Sequence, residues 1–332
     1  MQRLCSQLGG VESVTKLINS TFCNVYVSSD SIDSPSTDDD WSVDISTAEV
    51  LSRLRKIPDH KASGSDGIPT TVYKAVSSLI AGPLCHIFSL CVSERNFPTR
   101  WKHSFVSPIP KHGAFDVNNL RPIALLPLPG KLLEFFVLRN GVKDRLLESF
   151  GRNQFGCRPG SSTTAALIKL HDNVTSFLDR DDVEGVQLLA YDYSKAFDKL
   201  RHDVIIKALL ATKIPTGFVK FIQSYLSNHT QATKIGDCVS STACVPSGVP
   251  QGSILGPYLF SVVVASLQNI HKSSSLIKYI DDITYSIPIF RQTKCQQVGL
   301  REEHTNVLDW SLHHGLTINK SKFKSLFFKN IS

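Results

Sequence analysis

The sequence has no run of about eighteen apolar residues, so no segment has the length to cross a membrane as a helix. Met1–Gly10 lacks the apolar stretch of a secretory signal. Cysteines stand at positions 5, 23, 85, 91, 157, 238, 244 and 295, yet none forms a Cys-x-x-Cys pair and their spacing is irregular. This excludes a zinc site built on paired cysteines and fits free thiols in a reducing compartment. His313-His314 has no partner at metal-ligand spacing and reads as surface. The glycine loops lack the GKS/T ending of a Walker motif. No internal repeat or low-complexity tract is present, which excludes a solenoid.

What is present is globular composition. The chain has 332 residues, 42% hydrophobic and 20% charged, enough for a substantial core and two or three subdomains. The net charge of +7 is unevenly spread. Residues 1–60 hold 5 Lys/Arg against 9 Asp/Glu, residues 61–180 hold 15 against 8, and residues 181–332 hold 16 against 12. The positive excess downstream of residue 60 fits a polyanionic partner, and equally a merely basic protein.

Along the chain, Val11–Phe22 reads as a helix and Ser28–Asp40 as a Ser/Asp/Pro-rich linker. Ile45, Val50, Leu51, Leu54 and Ile57 form a helical stripe. The tight polar loop Lys61–Pro69 leads into a helix over Thr70–Glu94, with a break expected at Gly82-Pro83. Strands are expected over Phe105–Pro110 and from Leu120, and then a helix over Pro129–Leu147. A glycine-rich loop, Gln154–Thr163, precedes a helix over Thr164–Leu178. Val186–Asp192 reads as a buried strand ending in an acid. Helices over His202–Thr212 and Gly217–Leu226 follow, then strands over Thr230–Ile235 and Ser241–Pro246. The loop Ser247–Ser253 leads into an apolar helix, Ile254–Leu267. An acidic hairpin, a helix over Lys294–His314 and strands Leu316–Ile318 and Leu326–Phe328 close the chain. The fold class is α+β, with helices packed on a small antiparallel sheet.

The hairpin, Lys278-Tyr279-Ile280-Asp281-Asp282-Ile283, places two acids side by side between apolar strands. Taken alone it reads either as an ordinary Asp turn or as a cation site that neutralises two repelling carboxylates. Asp192 stands at the end of another central strand, where capping the next turn is the simpler role. If the strands are adjacent, the three carboxylates suit two divalent ions that clamp the oxygens of an in-line phosphoryl displacement.

In order, the blocks resemble the motifs of reverse transcriptases encoded by non-LTR (LINE-type) retrotransposons. KASGSDGIP (61–69) is similar to that family's KAxGxDGIP, with Ser65 where proline is usual. Trp101-Lys102, Pro108–Lys111 and Leu120–Ile123 resemble its WK…PIxK…RPI block. Asn153–Ser162 resembles QFGFRxGxS, with Cys157 replacing an aromatic. Tyr191–Asp198 with His202 resembles SKAFDxVxH, and GVPQGSILGPYLF (248–260) is the closest match. The resemblance runs over residues 49–329.

It implies a right-hand polymerase with fingers and palm that copies an RNA template into DNA from a DNA primer and deoxynucleoside triphosphates. By motif, Asp192, Asp281 and Asp282 become the catalytic acids and the ligands of two Mg²⁺ ions, with Mn²⁺ as a substitute. Lys111 and Arg121 take the positions that grip the triphosphate. Gln251 and Gly252 line the nucleotide pocket. Phe197, five residues after Asp192, takes the place of the aromatic that collides with a 2′-hydroxyl, which favours deoxynucleotides and separates this chain from RNA-dependent RNA polymerases. Tyr279 and Ile280 would contact the primer end, and Lys322 of Asn319-Lys320-Ser321-Lys322 would protonate pyrophosphate, or simply lie on a solvated basic face. The resemblance divides the chain into a partly disordered extension over 1–47, fingers with upstream motifs over 48–185, and a palm over 186–332 that includes part of the fingers at about 203–250. No thumb is expected before Ser332. Action inside the cell, in nucleus or cytoplasm, with no membrane and no identified protein partner, completes the expectation. Ile280 replaces the family's alanine, and Ala265-Ser266 its Asn-Asp. These departures and the short length carry the alternative, an inactive retroelement remnant that at most binds RNA.

Overall fold

A computed structural model describes residues 2–30, 39, 41–111, 116–291 and 296–330. Of the linker expected over Ser28–Asp40, residues 31–38 and 40 lie outside the described residues. Nine strands are described: β1 (His103–Pro110), β2 (Leu120–Leu125), β3 (Val183–Tyr191), β4 (His229–Ile235), β5 (Cys238–Val239), β6 (Ala243–Val245), β7 (Ser275–Tyr279), β8 (Asp282–Phe290) and β9 (Lys324–Lys329). They divide between two compact units, Met1–Lys143 with Phe197–Gly256, and Asp144–Ala196 with Pro257–Ser332.

The first unit is built on a five-stranded sheet of order β2-β1-β4-β5, with β6 also paired to β4. β1 and β2 are antiparallel, with Ile109 opposite Arg121, and β1 runs parallel to β4. Its core is aromatic. Phe97 meets Tyr225 edge to face at 5.1 Å between ring centroids, and Phe88 lies 6.0 Å from Phe136. The helical stripe beginning at Ile45 forms the helix Thr47–Arg55, opened by a Ser46–Glu49 capping box. The next helix does not break at Gly82-Pro83. It breaks at Val76 (φ −95°, ψ 12°), between Thr70–Ala75 and Ser77–Ser93. The buried face of Ala81, Leu84, Phe88, Cys91 and Val92 runs through Pro83, so tertiary burial overrides the proline.

The second unit carries the small antiparallel sheet expected from the sequence, in the order β7-β8-β3-β9. The helix Thr163–Leu178, capped by Ser162, packs Leu170, Val174, Phe177 and Leu178 against Val186 and Leu188 of β3. Buried Lys278 in β7 donates from Nζ to the carbonyl oxygens of Val264 (2.8 Å), Ala265 (3.4 Å) and Leu267, at and just beyond the C-terminal end of the helix Gly256–Ala265. It thereby anchors β7 to that helix. Leu316–Ile318 is not a full strand. Gly315 (φ 68°) ends the preceding helix and a turn begins at Lys320, which leaves room for a single bridge between Tyr193 and Ile318. The helix Gln296–His313 is described from its first residue, and the expected start at Lys294 lies outside the described residues. Among the described residues no helix is long and apolar enough to cross a membrane.

Candidate active site

Antiparallel pairing of β3 with β8 sets Tyr191 opposite Ile283, so the next residues, Asp192 and Asp282, face one another across the strand ends. Tyr279 pairs with Asp282, which leaves Ile280 and Asp281 as the two-residue turn of the β7–β8 hairpin. From sequence alone both acids belong in the turn. Instead Asp282 opens β8, because Ile280 takes the first turn position.

That position has φ 57°, a left-handed value that glycine normally supplies in such a turn and that is uncommon for a β-branched residue. The turn is held from outside. Asn153 O accepts from Lys278 N (2.8 Å) and Phe155 N donates to Lys278 O (2.8 Å), adding this segment alongside β7. Gln154 Oε1 then accepts from Ile280 N and from Gly156 N, both at 2.9 Å. A Cβ on Gly156 would fall 2.4 Å from Ile280 Cγ1, so glycine is what makes room for the isoleucine. Gln154 is buried, and its Nε2 has no partner.

Asp192 is held by Asn319, whose N donates to Asp192 O (2.8 Å) and whose Nδ2 donates to Oδ2 (3.4 Å). Lys322 Nζ donates to Asp192 Oδ1 at 3.2 Å. Burial first, and then the charge of Asp282, push the Asp281 carboxyl up to about 6, with Asp192 adding to the shift and Lys322 opposing it. Asp282 is exposed by surface area, yet partial desolvation and Asp192 move its carboxyl upward too. The three acids therefore share one field, and Lys322 supplies its counter-charge. Among the described residues no group of three or more His, Cys, Asp and Glu stands ready to hold a metal ion.

The nucleotide-binding candidates lie in the first unit. Lys111 follows β1, its N donating to Asn119 O (3.1 Å), and Arg121 is exposed on β2. The glycine loop is pinned at several points. Val249 N donates to Phe197 O (2.8 Å), and Gln251 Nε2 donates to both carboxylate oxygens of Asp198 (2.9 Å each). Ala124 N donates to Gln251 O (2.8 Å). Gly252 (φ 132°) passes so close to β2 that a Cβ would sit 2.8 Å from Ala124 O. Buried Glu134 accepts from Ile254 N (2.7 Å) and Leu255 N (3.0 Å), and desolvation pushes its carboxyl up to about 7. Thus Phe197, Gln251 and Gly252 are brought together, with Arg121 on the same strand as Ala124.

Reading the sequence assigned no role to Gln154, Gly156, Asp198 or Glu134. Gln154, Gly156 and Asp198 stand inside blocks already singled out, and an acid inside the apolar run Leu128–Phe136 is the signal that points to Glu134.

Residues 109–329 match the family described as reverse transcriptase (RNA-dependent DNA polymerase). A probable RNA-directed DNA polymerase from transposon BS of Drosophila melanogaster is 28% identical, over 84% of this chain and 31% of the relative. The RNA-directed DNA polymerase from mobile element jockey of the same species is 26% identical, over 86% of this chain and 32% of the relative. The chain thus spans about a third of the length of the curated relatives it matches. In fold it is similar to an apo telomerase from Candida tropicalis, with TM-score 0.50 and 11% identity over 80% of this chain and 58% of that one. With the acids ordered on the sheet as described and the family match covering 109–329, the chain belongs to the reverse transcriptase family, as the reverse transcriptase domain of a non-LTR retrotransposon.

Proposed function

We propose that this chain performs RNA-directed DNA synthesis, transferring deoxynucleotides to the 3′-hydroxyl of a DNA primer on an RNA template. The observation that carries this reading is the placement of Asp192 and Asp282 across neighbouring strand ends, with Asp281 in the adjoining turn titrating at about 6. Carboxylates that raise one another in this way are stabilised by divalent cations, and an all-oxygen donor set suits Mg²⁺, with Mn²⁺ as a substitute. When bound, two such ions would clamp the attacking and leaving oxygens of an in-line phosphoryl displacement. Asp192 and Asp281 would be the main ligands and Asp282 a supporting one. Lys322, which donates to Asp192 Oδ1 at 3.2 Å, would give a proton to departing pyrophosphate.

The other roles belong to side chains that bind and orient. Lys111 and Arg121 neutralise the triphosphate, and Arg121 brings a bidentate fork. Gln251 and Gly252 floor the nucleotide pocket, Phe197 excludes a 2′-hydroxyl, and Tyr279 and Ile280 lie against the primer end. On this reading residues 48–185 act as fingers and 186–332 as palm, with part of the fingers at about 203–250. Primer extension on an RNA template with Mg²⁺, comparing the unaltered chain with Asp281→Asn, tests the assignment. Extension by the unaltered chain alone is the expected result, and equal extension by both would sink it.

A second reading is a remnant that binds RNA without synthesis. It is favoured by the departures at Ile280, which stands in the turn beside Asp281 at φ 57°, and at Ala265-Ser266. Salt-dependent RNA binding with no deoxynucleotide incorporated by the unaltered chain would select it.

A further inference from the structure

The first unit contains a cavity of about 320 Å³ that includes none of the residues assigned above. The end of the helix Thr47–Arg55, the loop beginning at Lys61 and the helix Leu128–Phe136 border it. Arg53, Lys56, Lys61 and Lys131 line it, and no carboxylate does. Leu132 and the Phe135 ring supply apolar wall, and the Arg53 guanidinium lies over that ring at 4.1 Å from its centroid.

The wall is built before any ligand arrives. Gly64 packs so closely on the chain after β2 that a Cβ would fall 2.5 Å from Leu126 O. Ser65 Oγ donates to His103 O at 2.6 Å, and Tyr73 OH donates to Asp66 Oδ2 at 2.7 Å. Burial pushes the Lys131 ammonium below its usual range, Glu134 works the other way, and the charge of Lys61 lowers it further. The cations line one open-mouthed cavity and repel one another, and an anion would relieve them.

We propose that this cavity binds a phosphate group, with Arg53, Lys56, Lys61 and Lys131 around its oxygens and the attached sugar or base against Leu132 and Phe135. Its size is that of a small-molecule site, and four cations match a phosphate, with several acceptor oxygens, better than one carboxylate. The source is a free nucleotide or one unit of a polynucleotide.

The test uses the full chain without divalent cations. It is titrated with inorganic phosphate, uridine 5′-monophosphate or a uridine decamer, and read by calorimetry and by acetylation of lysines. Lys61 and Lys131 are expected to be protected by at least one nucleotide probe. Arg53→Glu and Lys61→Glu should each weaken that probe about tenfold or more, while Lys61→Arg retains binding. Circular dichroism melting confirms that each variant is folded. Asp281→Asn should bind like the unaltered chain, which separates this site from the polymerase reading. Protection by the monophosphate assigns a free nucleotide, and protection by the decamer alone assigns a polynucleotide. No protection by either, or unchanged affinity in both folded charge reversals, overturns the proposal.

Discussion

Gln154 Oε1 accepts a hydrogen bond from the backbone N of Ile280 at 2.9 Å, so a residue 126 positions upstream fixes the turn that presents Asp281. The same oxygen takes Gly156 N at 2.9 Å, which makes one side-chain acceptor responsible for two backbone donors. Gln154→Leu leaves both without that acceptor in a buried setting, at a cost of about 1–3 kcal/mol. Because the loss falls on the turn itself, primer extension should drop further than the population unfolded would explain. Denaturant unfolding and extension assays on the same preparation check this. Extension that falls only in step with stability would reduce Gln154 to a structural role.

Gly156 and Ile280 form a pair whose members answer for each other. Gly156→Ala puts a methyl where Ile280 Cγ1 already lies, 2.4 Å from the ideal Cβ position. Such overpacking costs about 1–3 kcal/mol. Shortening the partner in Gly156→Ala/Ile280→Ala should restore part of that loss. The rescue stays incomplete, because Ile280 N is also within 2.9 Å of the new Cβ. A double-mutant cycle by urea denaturation measures the coupling, and strict additivity would contradict the packing described.

Much of this architecture was legible in the sequence. Alternation and apolar runs located β1, β3, β4 and β8, and the blocks that resemble reverse transcriptases pointed to Asp192 and Asp281-Asp282. Interactions between segments distant in sequence were not legible. Nothing local in Gln154 says that its amide reaches Ile280, and nothing in Ile280 says that it stands at φ 57°. Pro83 misled because burial of one helix face outweighed a local breaker. Gly315 closed a helix so late that the next apolar triplet formed only a bridge.

The Asp281 carboxyl, raised to about 6 from an ordinary value of 3.8, makes a pH prediction whose sign is fixed. Between those values the folded chain holds a proton that the unfolded chain has lost. This contribution to stability is therefore full below about pH 4 and is lost as pH rises through about 6. Without divalent cations, the unaltered chain should lose stability relative to Asp281→Asn over that window. Millimolar Mg²⁺ should flatten the difference by neutralising the carboxylate. Thermal unfolding of both proteins from pH 4 to 8, with and without Mg²⁺, checks it. Parallel curves in the absence of the ion would contradict the shared field of the three acids.

Glu134 offers a similar test in the first unit. Its carboxylate accepts from Ile254 N and Leu255 N at the end of the glycine loop, and burial lifts it to about 7. Glu134→Leu removes an acceptor from two backbone donors, at about 1–3 kcal/mol. Glu134→Gln keeps an acceptor and should cost less, while abolishing the loss of stability expected as pH rises from about 4.5 to 7. Since the loop also carries Gln251 and Gly252, Glu134→Leu should raise the KM for deoxynucleotides more than it lowers kcat. Steady-state extension kinetics on the folded variant distinguish this from general destabilisation.

Phe197 tests the identity of the product. Its carbonyl is tied to Val249 N at 2.8 Å, so the residue is held against the glycine loop that would carry the nucleotide. On the proposed reading, a phenyl ring there would offer a 2′-hydroxyl neither space nor a hydrogen-bond partner, so the rejection would be steric. Phe197→Ala should therefore raise ribonucleotide incorporation while leaving deoxynucleotide incorporation less affected. The change is read as the ratio of kcat/KM for the two sugars, and it should move toward ribonucleotides by about tenfold or more. A polar replacement of similar size, Phe197→Tyr, should leave the ratio nearly unchanged if bulk excludes the hydroxyl. Equal ratios in the alanine variant and the unaltered chain would remove Phe197 from sugar selection and leave it a packing residue of the glycine loop.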